Sequence, residues 1–345
     1  MRHRRYCANR PRSLRSLHAA LEKRFLETQH PRDLTLIMTA GAGDSKGLGT
    51  GRFHHEGLLK RVIAANFGRM PKVAQAAQEN KILGYNLPQG VISQLYRACA
   101  SGQPGLFSKV GLYTYVDPRF GGGKVNDDDR GHRQVPQHPG RGVALLYRHQ
   151  DRRRLHPRHE RRSVGNISME KEALTLDVLA QAMAAHNNGG IVIAQVERIV
   201  EQGSIKPKDV KVPGILVDCV VVADQPEMHR MNYGVMYDPG LAGEVRVTVD
   251  SLPTMPLDER KIIARRAIFR TAAERRRQSR RRRAGWHRAV ANEEKVTPYI
   301  VLTTEAGAIG GVLASGIELR LIATNADSII QQNQQFDFYD GGGST

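Results

Sequence analysis

Three cysteines in 345 residues, Cys7, Cys99 and Cys219, are too few and too scattered for a disulfide framework or a thiolate metal site. That scarcity suits a reducing compartment, and a cytoplasmic location is expected. The chain also has no run of eighteen or more apolar residues, so no segment is suited to cross a membrane as a helix. Acidic residues are in short supply: 34 Asp and Glu stand against 52 Lys and Arg, for a formal net charge of +18. An excess of that size ordinarily points to a polyanionic partner.

Its distribution argues otherwise. Residues 1–16 hold six Arg and no acid, residues 130–162 ten Arg against Asp151 and Glu160, and residues 275–283 seven Arg. Together these islands carry +21, which leaves −3 for everything else. They contain no Lys, although Lys is spread through the rest of the chain. A nucleic-acid arm mixes both cations, since both neutralise phosphate, and it interleaves aromatics for base stacking, of which these islands have few.

Arg with His, Pro and Gln but without Lys is what GC-rich DNA yields when read out of frame. Asp151-Arg152-Arg153-Arg154-Leu155-His156-Pro157-Arg158 can be encoded by codons that, read one base later, give Ile-Asp-Val-Ala-Phe-Ile-Arg-Gly, a buried-strand pattern. Arg276-Arg277-Gln278-Ser279-Arg280-Arg281 shifts in the same way to Gly-Gly-Lys-Val-Val-Val. The islands are therefore expected to be misread frames that hang outside the fold as loops or irregular helix. The alternatives are an inactive remnant of an enzyme, or a basic protein that binds nucleic acid through these segments.

Between the islands, strand and helix patterns alternate, which argues α/β domains with mainly parallel sheets. Leu34–Met38 reads as a strand, followed by a glycine-rich turn from Gly41 to Gly51. Helical spacing is expected over His55–Asn66 and Pro71–Asn80, a strand over Ile82–Tyr85, and a helix from Pro88 to Ala100. Glu172–His186 reads as an amphipathic helix stopped by Asn187-Asn188-Gly189-Gly190. Ile191–Val196 and Gly214–Ala223 are β-branched throughout, as in strands buried on both faces. A helix is expected over Leu257–Ala273, and strands over Tyr299–Thr303 and Glu318–Ala323.

Glu305 ends the apolar run before a loop with three glycines, where open α/β sheets gather their ligands. From spacing alone, a strand-end carboxylate facing water is the simpler reading. Gly41–Gly51 resembles a phosphate-cradling loop but lacks the Lys-Ser/Thr pair, so a structural turn is expected. His54-His55-Glu56 lacks partners at ligand spacing and reads as a solvated helix start, and Asp127-Asp128-Asp129 as a solvated loop.

Seven blocks in order change the weight given to Glu305. They are Tyr85-Asn86-Leu87-Pro88-Gln89-Gly90-Val91, Val116-Asp117-Pro118-Arg119 with Gly121-Gly122-Gly123-Lys124, Asn166–Glu170, Val212–Asp218, Arg260–Ala267, Thr303–Gly311, and Phe336–Gly343. Over about 20–129, 163–274 and 289–343 the chain resembles the acetate/propionate coenzyme A transferases, the acyl-CoA:acetate/3-ketoacid group.

That resemblance implies a fold of two related, open, mainly parallel α/β domains, the second truncated. It divides the chain into an aberrant basic segment at 1–16, an N-terminal domain at 17–249 interrupted by the insert at 130–162, a linker at 250–257, and a C-terminal domain at 258–345 with an aberrant stretch at 275–288. It implies Glu305 as the nucleophile of a ping-pong transfer through a glutamyl-CoA thioester. Gly310 and Gly311 are implied as oxyanion donors, and so is Gln89, for which a helix-start residue that satisfies nearby backbone is an equal alternative. Coenzyme A enters as substrate, with no metal or redox cofactor required. Partners are an acyl-CoA and a short carboxylate, and assembly into homo-oligomers is expected. The family's opening strand with its Gly-Phe-x-x-x-Gly turn has no counterpart here, and the two internal islands replace apolar strand regions.

Overall fold

A computed structural model describes residues 17–40, 42–126, 144–147, 165–232, 234–248, 254, 256–273, 286–296, 299–313 and 322–339. At 144–147, 270–273, 286–289 and 313 it describes the backbone alone. The architecture is α/β with mainly parallel open sheets. The chain forms two compact units, one of residues 1–167 and 178–229, the other of 168–177 and 230–345. The segment expected as a linker falls within the second, and of it only 254, 256 and 257 are described.

In the first unit, helix α1 (Leu17–Thr28) leads into strand β1 (Leu34–Met38), β2 (Leu59–Ala64), helix α2 (Pro71–Gln78), β3 (Leu83–Asn86) and α3 (Gln89–Ala100). The three strands form one parallel sheet with β2 in the middle. The helix expected over His55–Asn66 is therefore wrong. Leu58, Leu59, Val62 and Ile63 recur at a helical interval, but they serve a strand covered on both sides. Val62 joins Phe25, Met38, Leu59, Met70 and Val73 on one face. Ile63 joins Leu83, Tyr85 and Ile92 on the other. Adjacent residues on opposite faces are the mark of a strand. Burying Val62 completely contributes about 1.5–3 kcal/mol.

Past α3, β4 (Gly105–Ser108) pairs antiparallel with β5 (Ala144–Tyr147), Leu106 opposite Leu146. So the stretch 130–162 is not wholly outside the fold: its apolar Ala-Leu-Leu-Tyr run adds a strand. The remainder of that island, and the other two, lie outside the described residues. Strand β6 (Ile167–Ser168) precedes α4 (Val178–Asn187), which starts six residues later than its periodicity suggests. Its end is as expected. Asn187 and Asn188 donate side-chain hydrogen bonds to the carbonyls of Ala100 (2.7 Å) and Cys99 (3.2 Å), closing the exposed end of α3.

Strand β7 (Ile193–Val196) pairs in parallel with β9 (Cys219–Val222), and β8 (Val210–Val212) pairs with β6. The Asn166 carboxamide oxygen accepts from the Gly214 amide at 2.8 Å, so two of the seven blocks meet. Burial of β7 and β9 on both faces is not found: Ile193 is 50% exposed and Val222 40%.

The second unit holds α5 (Pro239–Ala242), α6 (Glu259–Ala273), α7 (Trp286–Glu293), four two-residue strands β10 (Ala308–Ile309), β11 (Val312–Leu313), β12 (Ala323–Thr324) and β13 (Ser328–Ile329), and α8 (Gln332–Phe338). Asp238 caps α5 through the amides of Gly240 and Leu241. Helices α6 and α7 pack through Ala264, Ile268, Val290 and Ala291, with Lys261 on Glu293 and Arg265 on Glu294 as ion pairs. Strands β10 and β13 pair antiparallel, as do β11 and β12. Residues 168–177 belong here because Leu176 accepts from the Gln332 amide at 3.1 Å and Ala173 packs on Leu241 and Ile322. Among the described residues no helix is long and apolar enough to cross a membrane.

Candidate active site

Glu305 sits near the tip of a tight hairpin. The expected strand over Tyr299–Thr303 is reduced to one bridge, Thr303 opposite Ile309, because the chain pairs with its own return. The Thr304 amide donates to Ala308 (2.8 Å), the Gly310 amide to Leu302 (2.8 Å), and the Gly307 amide to Thr304 (3.3 Å). The Thr304 hydroxyl also accepts from the Ala308 amide at 3.0 Å. Thr304 is 6% exposed and Ala306 fully buried, whereas Glu305 between them is half-buried. The neighbours anchor the loop and leave Glu305 partly exposed.

Residues 323–330 hold the hairpin from outside. The Asp327 amide donates to Ile309 at 2.8 Å, and the Ile330 amide to Gly307 at 3.0 Å. Thr303 bonds to the Tyr339 hydroxyl. Gly307 has φ +112°, and a Cβ there would run into the Ile330 carbonyl oxygen. Gly310 abuts the Asp327 carboxylate, and Gly311 the Thr324 carbonyl. Gly307→Ala is expected to destabilise the unit by about 1–3 kcal/mol from backbone strain alone. A thermal melt with an unchanged midpoint would show that the hairpin is not held this way.

Glu305, Gly310 and Gly311 are thus brought together in the second unit. Gln89 belongs to the first, at the start of α3 behind Pro88. Its side-chain nitrogen is buried and has no hydrogen-bond partner among the described residues. Leaving such a donor unmatched costs about 1–3 kcal/mol. Pro88, the N-cap residue of α3, makes no side-chain cap hydrogen bond. Gly310's amide, by contrast, is committed to Leu302.

The turn that follows β4 packs beside the Gln89 loop and is organised by Asp117, 2% exposed. Its carboxylate accepts from the amides of Tyr113 (2.9 Å) and Arg119 (3.0 Å) and from the Arg119 guanidinium (2.9 and 2.5 Å). The guanidinium hydrogen bond, with those two amides, outweighs burial and holds the Asp117 carboxyl well below its ordinary 3.8. A depressed pKa stabilises the fold above the unfolded value and ceases to do so as pH falls through the folded one. The stability advantage of the native chain over Asp117→Asn should therefore be full at neutral pH and shrink progressively below about pH 4. Urea midpoints compared across that range test this; a gap that stays constant in acid would exclude it.

The other candidates resolve as structure. Asp44 takes the amides of Lys46 (2.9 Å) and Leu48 (2.8 Å), and Gly43 bridges Gly49, so the glycine-rich loop is closed on itself. His54 and His55 do not open a helix into solvent. The His55 ring meets the Glu22 carboxylate at 2.9 Å, and the His54 ring meets the Gly51 carbonyl at 3.0 Å. Asp127-Asp128-Asp129 lies outside the described residues. Sequence reasoning passed over Thr304 and Asp327, which hold the hairpin; Thr304 stood within a quoted block, one residue from Glu305.

Residues 19–223, more than half the chain, match the coenzyme A transferase family. The chain belongs to that family. It is 34% identical over 339 residues to the acetate CoA-transferase YdiF of Escherichia coli K12, covering 95% of this chain and 61% of that protein. It is 37% identical over 335 residues to the caffeate CoA-transferase of Acetobacterium woodii, covering 94% and 62%. The crystal structure of the acyl-CoA transferase YdiF apoenzyme from E. coli O157:H7 superposes with a TM-score of 0.77 at 32% identity, covering 95% of this chain and 61% of that one. A thioester complex of the same enzyme with CoA gives 0.76 at 32% identity, covering 95% and 64%. The chain thus spans about three-fifths of the length of these relatives.

Proposed function

We propose that this chain moves coenzyme A between a short-chain acyl-CoA and a carboxylate acceptor such as acetate or propionate, with Glu305 as the nucleophile. The observation that carries the reading is the hairpin: a half-buried carboxylate whose two neighbours are buried and whose backbone is held at both ends. The Glu305 carboxylate attacks the thioester carbonyl, and collapse of the tetrahedral adduct expels CoA thiolate and leaves an acyl-glutamyl anhydride. The thiolate then attacks the glutamyl carbonyl, releasing the acyl group as its carboxylate and leaving a glutamyl-CoA thioester. An acceptor carboxylate runs the same steps in reverse and departs as the new acyl-CoA. This is covalent, ping-pong catalysis.

A carboxylate is a weak nucleophile, so each oxyanion needs fixed donors. Gln89 supplies a side-chain N–H, and its unmatched buried nitrogen supports that role. Of the two glycines, Gly311 is the better backbone donor, since the Gly310 amide already serves Leu302. Coenzyme A takes part as substrate, in a cytoplasmic homo-oligomer. The test is to incubate the chain with acetyl-CoA, reduce with borohydride, and map the peptides. Reduction of a thioester to the primary alcohol at Glu305 is expected. A folded sample with Glu305 unmodified would remove the activity from this chain.

A further inference from the structure

We infer that Asn86 is a positioning residue, whose carboxamide locks the Leu87-Pro88-Gln89 turn so that the Gln89 amide is held ready for a ligand oxygen. The inference rests on the role proposed above for Gln89. Asn86 ends β3 at the edge of the first unit's parallel sheet. Its side-chain nitrogen donates to the carbonyls of Ala64 (3.2 Å) and Ala65 (3.0 Å), where β2 ends. Its side-chain oxygen accepts from the Tyr115 hydroxyl, and its backbone amide donates to Gly123 at 2.7 Å. The next amide, of Leu87, donates to Ala64 at 3.2 Å.

Every one of these partners lies on a neighbouring segment, so the turn is pinned from two sides just before Gln89. Gly123 completes the clamp. Its φ is +77°, and a Cβ would come within 2.6 Å of the Asn86 carbonyl oxygen and 2.8 Å of the Leu87 side chain. Two carbonyls on one side and a hydroxyl on the other call for a carboxamide. Aspartate would keep the oxygen and turn a second acceptor against both carbonyls. Three residues on, Gln89 is left with a buried donor and no internal acceptor. Buried polar groups are normally matched within the fold, and an unmatched one calls for a partner such as a ligand or an ordered water. A rigid clamp beside an unmatched donor is the arrangement a preorganised oxyanion site requires.

The test has two arms on the full chain. In the first, the single-turnover rate of glutamyl-thioester formation is followed with acetyl-CoA. Gln89→Ala and Asn86→Asp are each expected to lower it about 100-fold, with the KM for acetyl-CoA little changed. The double variant should lose no more than the worse single one, because Asn86 acts only through Gln89. Losses that multiply would overturn the inference.

In the second arm, the Gln89 side-chain amide is observed by nitrogen–proton NMR and assigned by its disappearance in Gln89→Ala. Asn86→Asp should move that pair to the position of solvent-exposed glutamines, with faster exchange against water. An unmoved pair would overturn the inference, whatever the turnover. Should Asn86→Asp lose its melting transition, Tyr115→Phe takes its place, with a rate loss of about 10-fold and the same direction of NMR shift. No change in that variant would be equally decisive. A wild-type chain that forms no thioester sinks the proposed function, while the NMR arm still decides on Asn86.

Discussion

Glu305→Gln is expected to lower CoA transfer on the order of 10⁵-fold or more, the scale seen when a covalent nucleophile is removed. The substitution keeps the shape of the side chain and replaces the attacking oxygen with an amide that does not displace a thiolate at neutral pH. The fold should survive, because backbone bonds at Thr304, Gly307 and Gly310 hold the hairpin whatever side chain stands at 305. Unchanged melting with absent turnover and absent borohydride labelling is therefore the predicted triad. Glu305→Asp separates chemistry from geometry. It retains a carboxylate but withdraws it by one methylene, and a displacement of that size should cost about 100-fold. Full activity in Glu305→Gln would assign the covalent step to another residue.

Much of the framework is legible in the sequence because local chemistry and tertiary context agree. Leu34–Met38 is a strand at the expected residues, Pro71 and Pro88 open helices, and Asn187 closes one. Disagreement begins where a segment is buried on both sides. Leu58, Leu59, Val62 and Ile63 satisfy a helical interval, and only the presence of β1 and β3 on either side makes them a strand. Tyr299–Thr303 fails for the opposite reason. Its apolar run suggests a sheet, but the glycines that follow allow the chain to turn back and pair with itself.

The ordered blocks name the residues of the proposed site but not their geometry. No pattern in Thr304–Gly311 says that the Gly310 amide is taken by Leu302. None in Asn86–Gln89 says that one carboxamide is saturated while its neighbour three residues on is left unmatched. Both facts are set by which strand ends lie alongside, and a one-dimensional spacing does not carry that information.

Replacing Asp151–Arg158, eight for eight, by Ile-Asp-Val-Ala-Phe-Ile-Arg-Gly is expected to stabilise the first unit. Strands β7 and β9 carry apolar side chains open to solvent. A parallel pair is normally covered on both faces, and two strands alone are marginal. Here Ile193 of β7 is 50% exposed, Val222 of β9 40%, and Ile191, just before β7, 64%. If the restored strand lies against this pair, it removes about half of each side chain's surface from water, about 3 kcal/mol in all. For a unit of this size that raises the melting temperature by about 10 °C. A control replaces Arg152, Arg153, Arg154 and Arg158 with Ser, which relieves charge but adds no apolar strand. Equal gains in both would trace the effect to repulsion among guanidinium groups, and no gain in either would leave the open strands unexplained. Sequencing codons 125–165 and 270–292 gives the independent check: a nucleotide run that yields no apolar strand one base later would remove the misread-frame account of the Arg islands.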